Sequence, residues 1–309
     1  MKTKILGPVA LLLTAMIWGT GFVAQRAGMD HIEPLTFTAA RMILAAIALG
    51  IPALSIAVRD RKMQPPKTEK GLSKKARRTL IGGIGCGAFL STATIFQQFG
   101  IVDSTAGKAG FITALYMLLV PILNLVLFRK KGTWLVWLAV LIGVGGMYLL
   151  CVNERFQLAP SDALLCICAL LFSCHILVCD RFVGQVDPIQ LSAVQFTTAS
   201  VISTVAAFIA EQPTPQKIMS AAVPILYCGL ISGGVGYTLQ MVGQKYTDAT
   251  PASLLMSLES VFAVLAGAII LRERMSLSEA LGCVILFSAI ILVQIPLPEN
   301  KKYDKEKKS

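Results

Sequence analysis

Charge is scarce in this 309-residue chain: Asp, Glu, Lys and Arg make up 15%, against about 25% in an average soluble domain. Histidine is nearly missing, with only His31 and His175, which excludes a His-rich metal site. The eight cysteines (Cys86, Cys151, Cys166, Cys168, Cys174, Cys179, Cys228 and Cys283) include no CxxC pair. Nearly all fall in apolar stretches, so they are read as small polarisable packing residues with no metal. Walker A, HExxH and GxSxG sequences are all absent. The chain therefore does not hydrolyse ATP itself, and no catalytic residue, enzyme activity or cofactor is expected. A GxGxG at Gly83, Gly85 and Gly87 has no strand before it and fails the context a dinucleotide loop requires.

What is present is apolar. Hydrophobic residues make up 55%, and the 25 glycines raise this to roughly 63%, where soluble domains sit near 45–50%. Mean hydropathy is +0.70. An ordinary soluble domain is excluded, and so is disorder, which needs low hydrophobicity. A span needs roughly 20 apolar residues. Ten such segments can be read, at 5–25, 35–58, 79–100, 106–128, 132–151, 161–179, 190–210, 218–240, 250–271 and 277–296. The runs are continuous rather than alternating, which argues against a β-barrel. The first segment lacks a small-residue cleavage site and is expected to be retained. The expectation is an all-α membrane protein with ten transmembrane helices.

The net charge of +11 does not point to nucleic acid, because it is concentrated between Arg59 and Arg78 and in a charged tail at 298–309. With the N-terminus inside and ten crossings, 21 of the 28 Lys and Arg fall on the cytoplasmic side and 6 outside, Arg41 being within a span. That asymmetry places both termini in the cytoplasm. The basic 59–78 stretch can also grip anionic lipid headgroups.

The chain repeats itself. A shift of 143 residues brings Gln97 onto Gln240, Gly100 onto Gly243, Ala106 onto Ala249, Leu115 onto Leu258 and Arg129 onto Arg272. A shift of 154 near the start brings Trp18 onto Phe172, Pro34 onto Pro188 and Arg41 onto Gln195. Residues 1–151 and 152–297 thus read as two five-span units. Five is odd, so the second unit enters the membrane inverted, an architecture whose substrate sites lie between the halves.

The run "WGTGFVAQRAGMDHIEPLTFTAARMILAA" at 18–46 resembles the opening of the drug/metabolite transporter superfamily, in its EamA-type branch. Trp18, Gly19, Pro34 and Arg41 occupy the pattern's places. The stretch 249–292 resembles the second-repeat signature through Glu259, Val261, Phe262, Glu273 and Gly282, with Ser260 where a proline is usual. Tyr116 and Lys130 stand where the second repeat has Glu259 and Glu273. The resemblance covers nearly the whole chain and implies a ten-helix carrier with a central cavity. Relatives of this kind are similar to exporters of amino acids, drugs and other metabolites, with some importers among them, so proton-driven export is what the resemblance implies; the cargo is not named by it.

Glu259 is the sharpest candidate residue. It falls about nine residues into its segment, near the bilayer centre, where an ionisable group costs at least about 2.5–3.5 kcal/mol and marks function by default. A carboxyl that gains and loses a proton as the cavity changes sides can couple export to proton entry; the alternative is a protonated Glu bonded to a neighbouring helix. Gln97, Gln98, Tyr237 and Gln240 come next. Amides in lipid need partners, so these side chains either bind a zwitterionic or amide-bearing substrate or join helices. Trp18 leads a stripe with Thr14, Phe22 and Gln25 and can stack on a substrate ring. Tyr116 takes Glu259's place in the first half. His175 reads as a structural residue or a proton relay. Arg41 is expected to snorkel, to pair with Glu33 or Asp103, or to meet a substrate carboxylate.

Small-molecule substrate, protons and membrane lipids are thus the expected partners, in a bacterial inner (plasma) membrane. Oligomeric state is not legible. A lipid translocator, which needs a groove open sideways to the bilayer, or a membrane partner protein that transports nothing, is the alternative.

Overall fold

The computed structural model describes residues 2–63, 69–130, 132–151, 159–270, 272 and 276–294. The charged tail at 298–309 and the signature residue Glu273 lie outside them. Among the described residues all regular structure is helical. The elements are α1 (Lys2–Gly28), α2 (Pro34–Met63), α3 (Glu69–Val102), α4 (Ala106–Thr113), α5 (Tyr116–Phe128), α6 (Trp134–Cys151) and α7 (Pro160–Val183). They continue with α8 (Pro188–Ala210), α9 (Pro215–Ser220), α10 (Ala222–Leu226), a π-helical stretch Tyr227–Gly236, α11 (Tyr237–Tyr246), α12 (Ala249–Met256), α13 (Glu259–Ile270) and α14 (Leu277–Gln294). Among the described residues eight stretches are long and apolar enough to cross a membrane. Shorter apolar stretches, Trp134–Gly146 and Ala280–Ala289, lie within α6 and α14. A continuous apolar chain takes helices because a helix satisfies every backbone group internally.

Helix starts are written in the sequence. Proline opens α2, α7, α8 and α9, where its missing N–H is no loss. Asp187 caps α8, its Oδ1 accepting from the Ile189 and Gln190 amides at 2.9 and 3.1 Å. The start of α2 is capped from elsewhere. Glu211, just past α8, accepts from the Leu35 amide at 2.9 Å and from the Thr36 amide and hydroxyl at 2.7 Å each. Those bonds satisfy two of α2's first free amides and tie its start to the end of α8.

The outward faces are apolar. Ile43, Ile47, Ile51 and Leu54 form one stripe of α2 and are 40–71% exposed. Such a stripe in water would be a liability, but facing lipid it is the expected surface. Inside, α2 packs on α8, α3 on α7 and α8, and α1 on α11 and α13, while α6 and α14 pack mainly on each other. Glycines permit the close approaches. A Cβ at Gly83 or Gly87 of α3 would fall 2.4–2.6 Å from atoms of Val194, Gln195 or Thr198 on α8. Gly229 and Gly233 stand likewise against Leu44 and Ala45 of α2. These pairs behave as small-residue contacts between membrane helices.

Two of the expected continuous segments are broken well inside their length, and a third, 218–240, is interrupted near its start at Ala221. The segment at 106–128 interrupts at Ala114–Leu115, and the segment at 250–271 at Ser257–Leu258, the same 143-residue shift apart. Arg129 and Arg272, also 143 apart, are the two non-glycine residues with positive φ among the described residues, at 54° and 57°. The second break needs no proline. Ser253, Ser257 and Ser260 each turn a hydroxyl back to the carbonyl three residues earlier, at 2.8 Å, and such bonds bend helices. Glu259 therefore opens α13 rather than sitting inside an unbroken helix.

Candidate functional site

The π-helical stretch Tyr227–Gly236 with the start of α11, the helix breaks at α4–α5 and before α13, and residues of α1, α2, α3, α7 and α8 converge on one cavity. It has a volume of about 30 Å³, room for about two water molecules. A ligand of drug size needs several hundred Å³, so the cavity as it stands is too small to hold one.

The cavity collects most of the residues singled out from sequence. Trp18, Arg41, Gln97, Tyr116, Tyr237, Gln240 and Glu259 all line it. Gln98 and His175 do not; both are buried behind the wall. Gln98 donates through Nε2 to the Gln25 carbonyl at 3.5 Å, and His175 Nε2 lies 3.0 Å from Gln195 Oε1. Phe22 and Gln25, named in the Trp18 stripe, also reach the cavity. Met42, Thr94, Thr113, Phe196, Cys228 and Ser232 were missed. Thr94 and Thr113 precede Gln97 and Tyr116 by three residues, so helical spacing alone could have found them.

Aromatic rings form one wall around Tyr237. Its ring centre lies 4.5 Å from that of Trp18, 5.4 Å from that of Phe196 and 6.0 Å from that of His175. The polar wall is unusual because it is unsatisfied. Among the described residues, Trp18 Nε1, Gln25 Oε1, Arg41 Nε and Nη2, Tyr116 OH, Gln240 Oε1 and Glu259 Oε1 are buried without a hydrogen-bond partner of good geometry. Buried polar groups without partners are costly, and a cluster of them around one space calls for an explanation. The other amide groups here are spent on the protein: Gln97 Nε2 reaches Thr113 at 3.4 Å, and Gln240 Nε2 reaches Gln244 at 3.0 Å.

Arg41 corrects an expectation. It neither snorkels nor pairs with Glu33 or Asp103. Its side chain is buried, its guanidinium carbon lies 5.7 Å from the Phe37 ring centre, and it has no acidic partner among the described residues. Glu33 is occupied by Lys217, outside the spans. That contact holds the Glu33 carboxyl below its ordinary value of 4.5.

Glu259 faces the Tyr116 phenol of α5. Behind it, Gly19 brings α1 so close that a Cβ would lie 2.7 Å from the Glu259 carbonyl oxygen. The Gly beside Trp18 in the opening motif thus sets how near the aromatic stripe comes to the carboxyl.

A second, apolar groove of about 880 Å³ lies between α2, α3 and α8, lined by residues such as Gly50, Leu54, Leu80, Ile84, Val194 and Val201. It shares no residue with the cavity and reaches only part of the way along those helices.

Comparison with known proteins agrees with this architecture. The model of the EamA-like transporter family matches twice, over residues 5–152 and 159–295. An uncharacterized transporter of Archaeoglobus fulgidus is 26% identical over 293 residues, covering 94% of this chain and 87% of the relative. The uncharacterized transporter YoaV of Bacillus subtilis is 22% identical, covering 92% and 95%. A solved crystal structure superposes with a TM-score of 0.70 at 17% identity, over 95% of this chain and 96% of that one, which bears on the fold alone.

Proposed function

The chain belongs to the EamA-like transporter family, and from that premise we propose that it is a secondary active exporter of amino acids or related metabolites and drugs, working by alternating access with proton coupling. It is a multi-pass membrane protein. The reading places it in a bacterial plasma membrane with ten spans, both termini cytoplasmic, and residues 1–151 and 152–297 as inverted repeats. The paired helix breaks and the paired left-handed residues Arg129 and Arg272 support that symmetry.

The observation that carries the reading is the unsatisfied polar wall. A guanidinium and a carboxyl, neither with an ion-pair partner among the described residues, line the same cavity beside Trp18 and Tyr237. A zwitterion complements both: its carboxylate suits Arg41 as a charge-assisted partner, its ammonium suits Glu259, and an apolar side chain suits the rings. Partners of this kind are supplied by cargo and withdrawn on release. In the empty carrier the Glu259 carboxyl is free to exchange a proton. Tyr116 of α5, Tyr237 of α11 and Cys168 of α7 are titratable groups that interact with it electrostatically, and Trp18, Phe22 and Gln25 of α1 line the same cavity. Proton against substrate at one carboxyl is a sufficient coupling device.

The apolar groove between α2, α3 and α8 shares no lining residue with the polar cavity and is the feature that lipid translocation, the alternative reading, would use. The test is counterflow in proteoliposomes with a labelled amino-acid and metabolite panel, comparing wild type with Glu259→Gln. Uptake of one solute class establishes a carrier. Retained counterflow with loss of proton-driven accumulation in the variant assigns coupling to Glu259; unchanged pH dependence removes that role. Failure of folded wild type to move any solute, with movement of labelled lipid, would replace the reading by lipid translocation.

A further inference from the structure

Cys86 of α3 and His175 and Cys179 of α7 meet behind the cavity wall. All three are buried, and one ligating atom from each lies within 4.8 Å of the others. The two sulfurs are 3.6 Å apart, and Cys179 Sγ is 3.4 Å from His175 Nε2. His175 and Cys179 share a face because they are four residues apart on one helix. Cys86 is brought to them by the packing of α3 on α7. Gln195 Oε1 of α8 adds a neutral oxygen 3.0 Å from the same nitrogen.

These separations are those of metal ligands. Bonds of about 2.3 Å to sulfur and 2.0–2.1 Å to nitrogen at a tetrahedral centre put two sulfurs about 3.8 Å apart and sulfur about 3.6 Å from nitrogen. The observed distances fall about 0.2 Å inside both. A disulfide needs about 2.05 Å between the sulfurs, so the pair is not bonded. We propose that Cys86, His175 and Cys179 bind a single divalent thiophilic cation of the Zn²⁺ class, with Gln195 Oε1 as the fourth donor.

Charge selects the class. Two thiolates, a neutral imidazole and a divalent cation sum to zero, which limits the cost of placing the site in a low-dielectric interior. A monovalent soft ion leaves one uncompensated negative charge. Hard cations prefer oxygen ligands and do not suit this donor set. Loading breaks two S–H bonds, forms two metal–sulfur bonds and releases two protons to solvent, with no change of oxidation state. The occupied site clamps α3 to α7. It also fixes the His175 ring, which packs edge-on against Tyr237 and Phe172 at 6.0 and 6.3 Å; both of those rings line the cavity. The site is therefore a brace on the cavity wall, and it stands whether or not the exporter reading does.

The experiment uses the full chain in detergent, reduced and stripped with chelator, and titrated with Co²⁺ alone. The expected result is one Co²⁺ per chain, with thiolate charge-transfer and tetrahedral visible bands that one equivalent of Zn²⁺ removes, and a higher Tm with Zn²⁺. Cys86→Ser and Cys179→Ser should lose the bands, while Cys166→Ser, at an exposed cysteine, should keep them. If the first two variants fail to fold, X-ray absorption on the Zn²⁺-loaded wild type reads two sulfurs directly. Absence of stoichiometric bands, or no sulfur in the absorption shell, overturns the site. Equal weak binding by all folded variants means an adventitious ion only. A Cys86–Cys179 disulfide in protein isolated without reductant, unaffected by Zn²⁺, overturns it in favour of a redox pair.

Discussion

Tyr116 and Glu259 stand 143 residues apart, each opens the helix that follows a break in its segment, and their side chains face one another in the central cavity. The repeat thus places a neutral phenol and an acid at equivalent positions. A pseudo-symmetric frame with an asymmetric pair of heads can respond differently when opened to its two sides.

Arg41 is the clearest place to separate function from stability. A buried guanidinium without an acid is a cost to the fold, and replacing a buried charge by a well-packed apolar group is often neutral or stabilising. Arg41→Met should hold or raise the Tm in detergent. The same variant should raise KM for a carboxylate-bearing substrate at least about tenfold, as a charge-assisted bond worth about 1.5–3 kcal/mol predicts, and should leave the methyl ester of that substrate unaffected. A large loss of Tm would show that Arg41 holds the fold instead.

Gly19 should tolerate no Cβ. The built atom would lie 2.7 Å from the Glu259 carbonyl oxygen and 2.9 Å from the Ala263 nitrogen, both backbone atoms that cannot turn aside. Gly19→Val should cost about 1–3 kcal/mol through forced separation of α1 and α13, read as a lowered melting temperature. Gly145→Ala, where nothing lies within 4 Å, is the control and should not fall.

Glu211 is predicted to act as a remote cap. Glu211→Ala removes the acceptor for the Leu35 and Thr36 amides and should destabilise by about 1–2 kcal/mol, the usual loss of an N-cap. Glu211→Gln should lose less, since an amide oxygen still accepts. Hydrogen exchange at the first turn of α2 would report the loss locally.

The Glu33–Lys217 contact gives a pH signature. The Glu33 carboxyl is held below 4.5 mainly by its hydrogen bond from Lys217. A lowered carboxyl contributes stability that is complete above its ordinary value and disappears as pH falls through the lowered one. The wild-type advantage over Glu33→Gln should therefore be present at neutral pH and vanish in acid. It should be small and shrink with salt, because both side chains are about 40% exposed. An advantage that grows in acid would contradict the pair.

Much of this was legible in the chain. Apolar composition dictated a helical membrane protein, because hydrocarbon leaves the backbone no other partner than itself. The 143-residue repeat already paired Gln97 with Gln240 and Tyr116 with Glu259, and seven of nine selected residues share the cavity. Polar residues in an apolar helix must face inward, so sequence can find them. Tertiary structure decided the rest. Which carboxylate capped α2 depends on elements over a hundred residues apart, and whether Arg41 met an acid depends on every helix packed around it. Cys86 beside Cys179 shows the limit best: spacing along the chain excluded a ligand set, and the packing of α3 on α7 assembled one, because proximity in a bundle is set by helix faces and not by sequence distance.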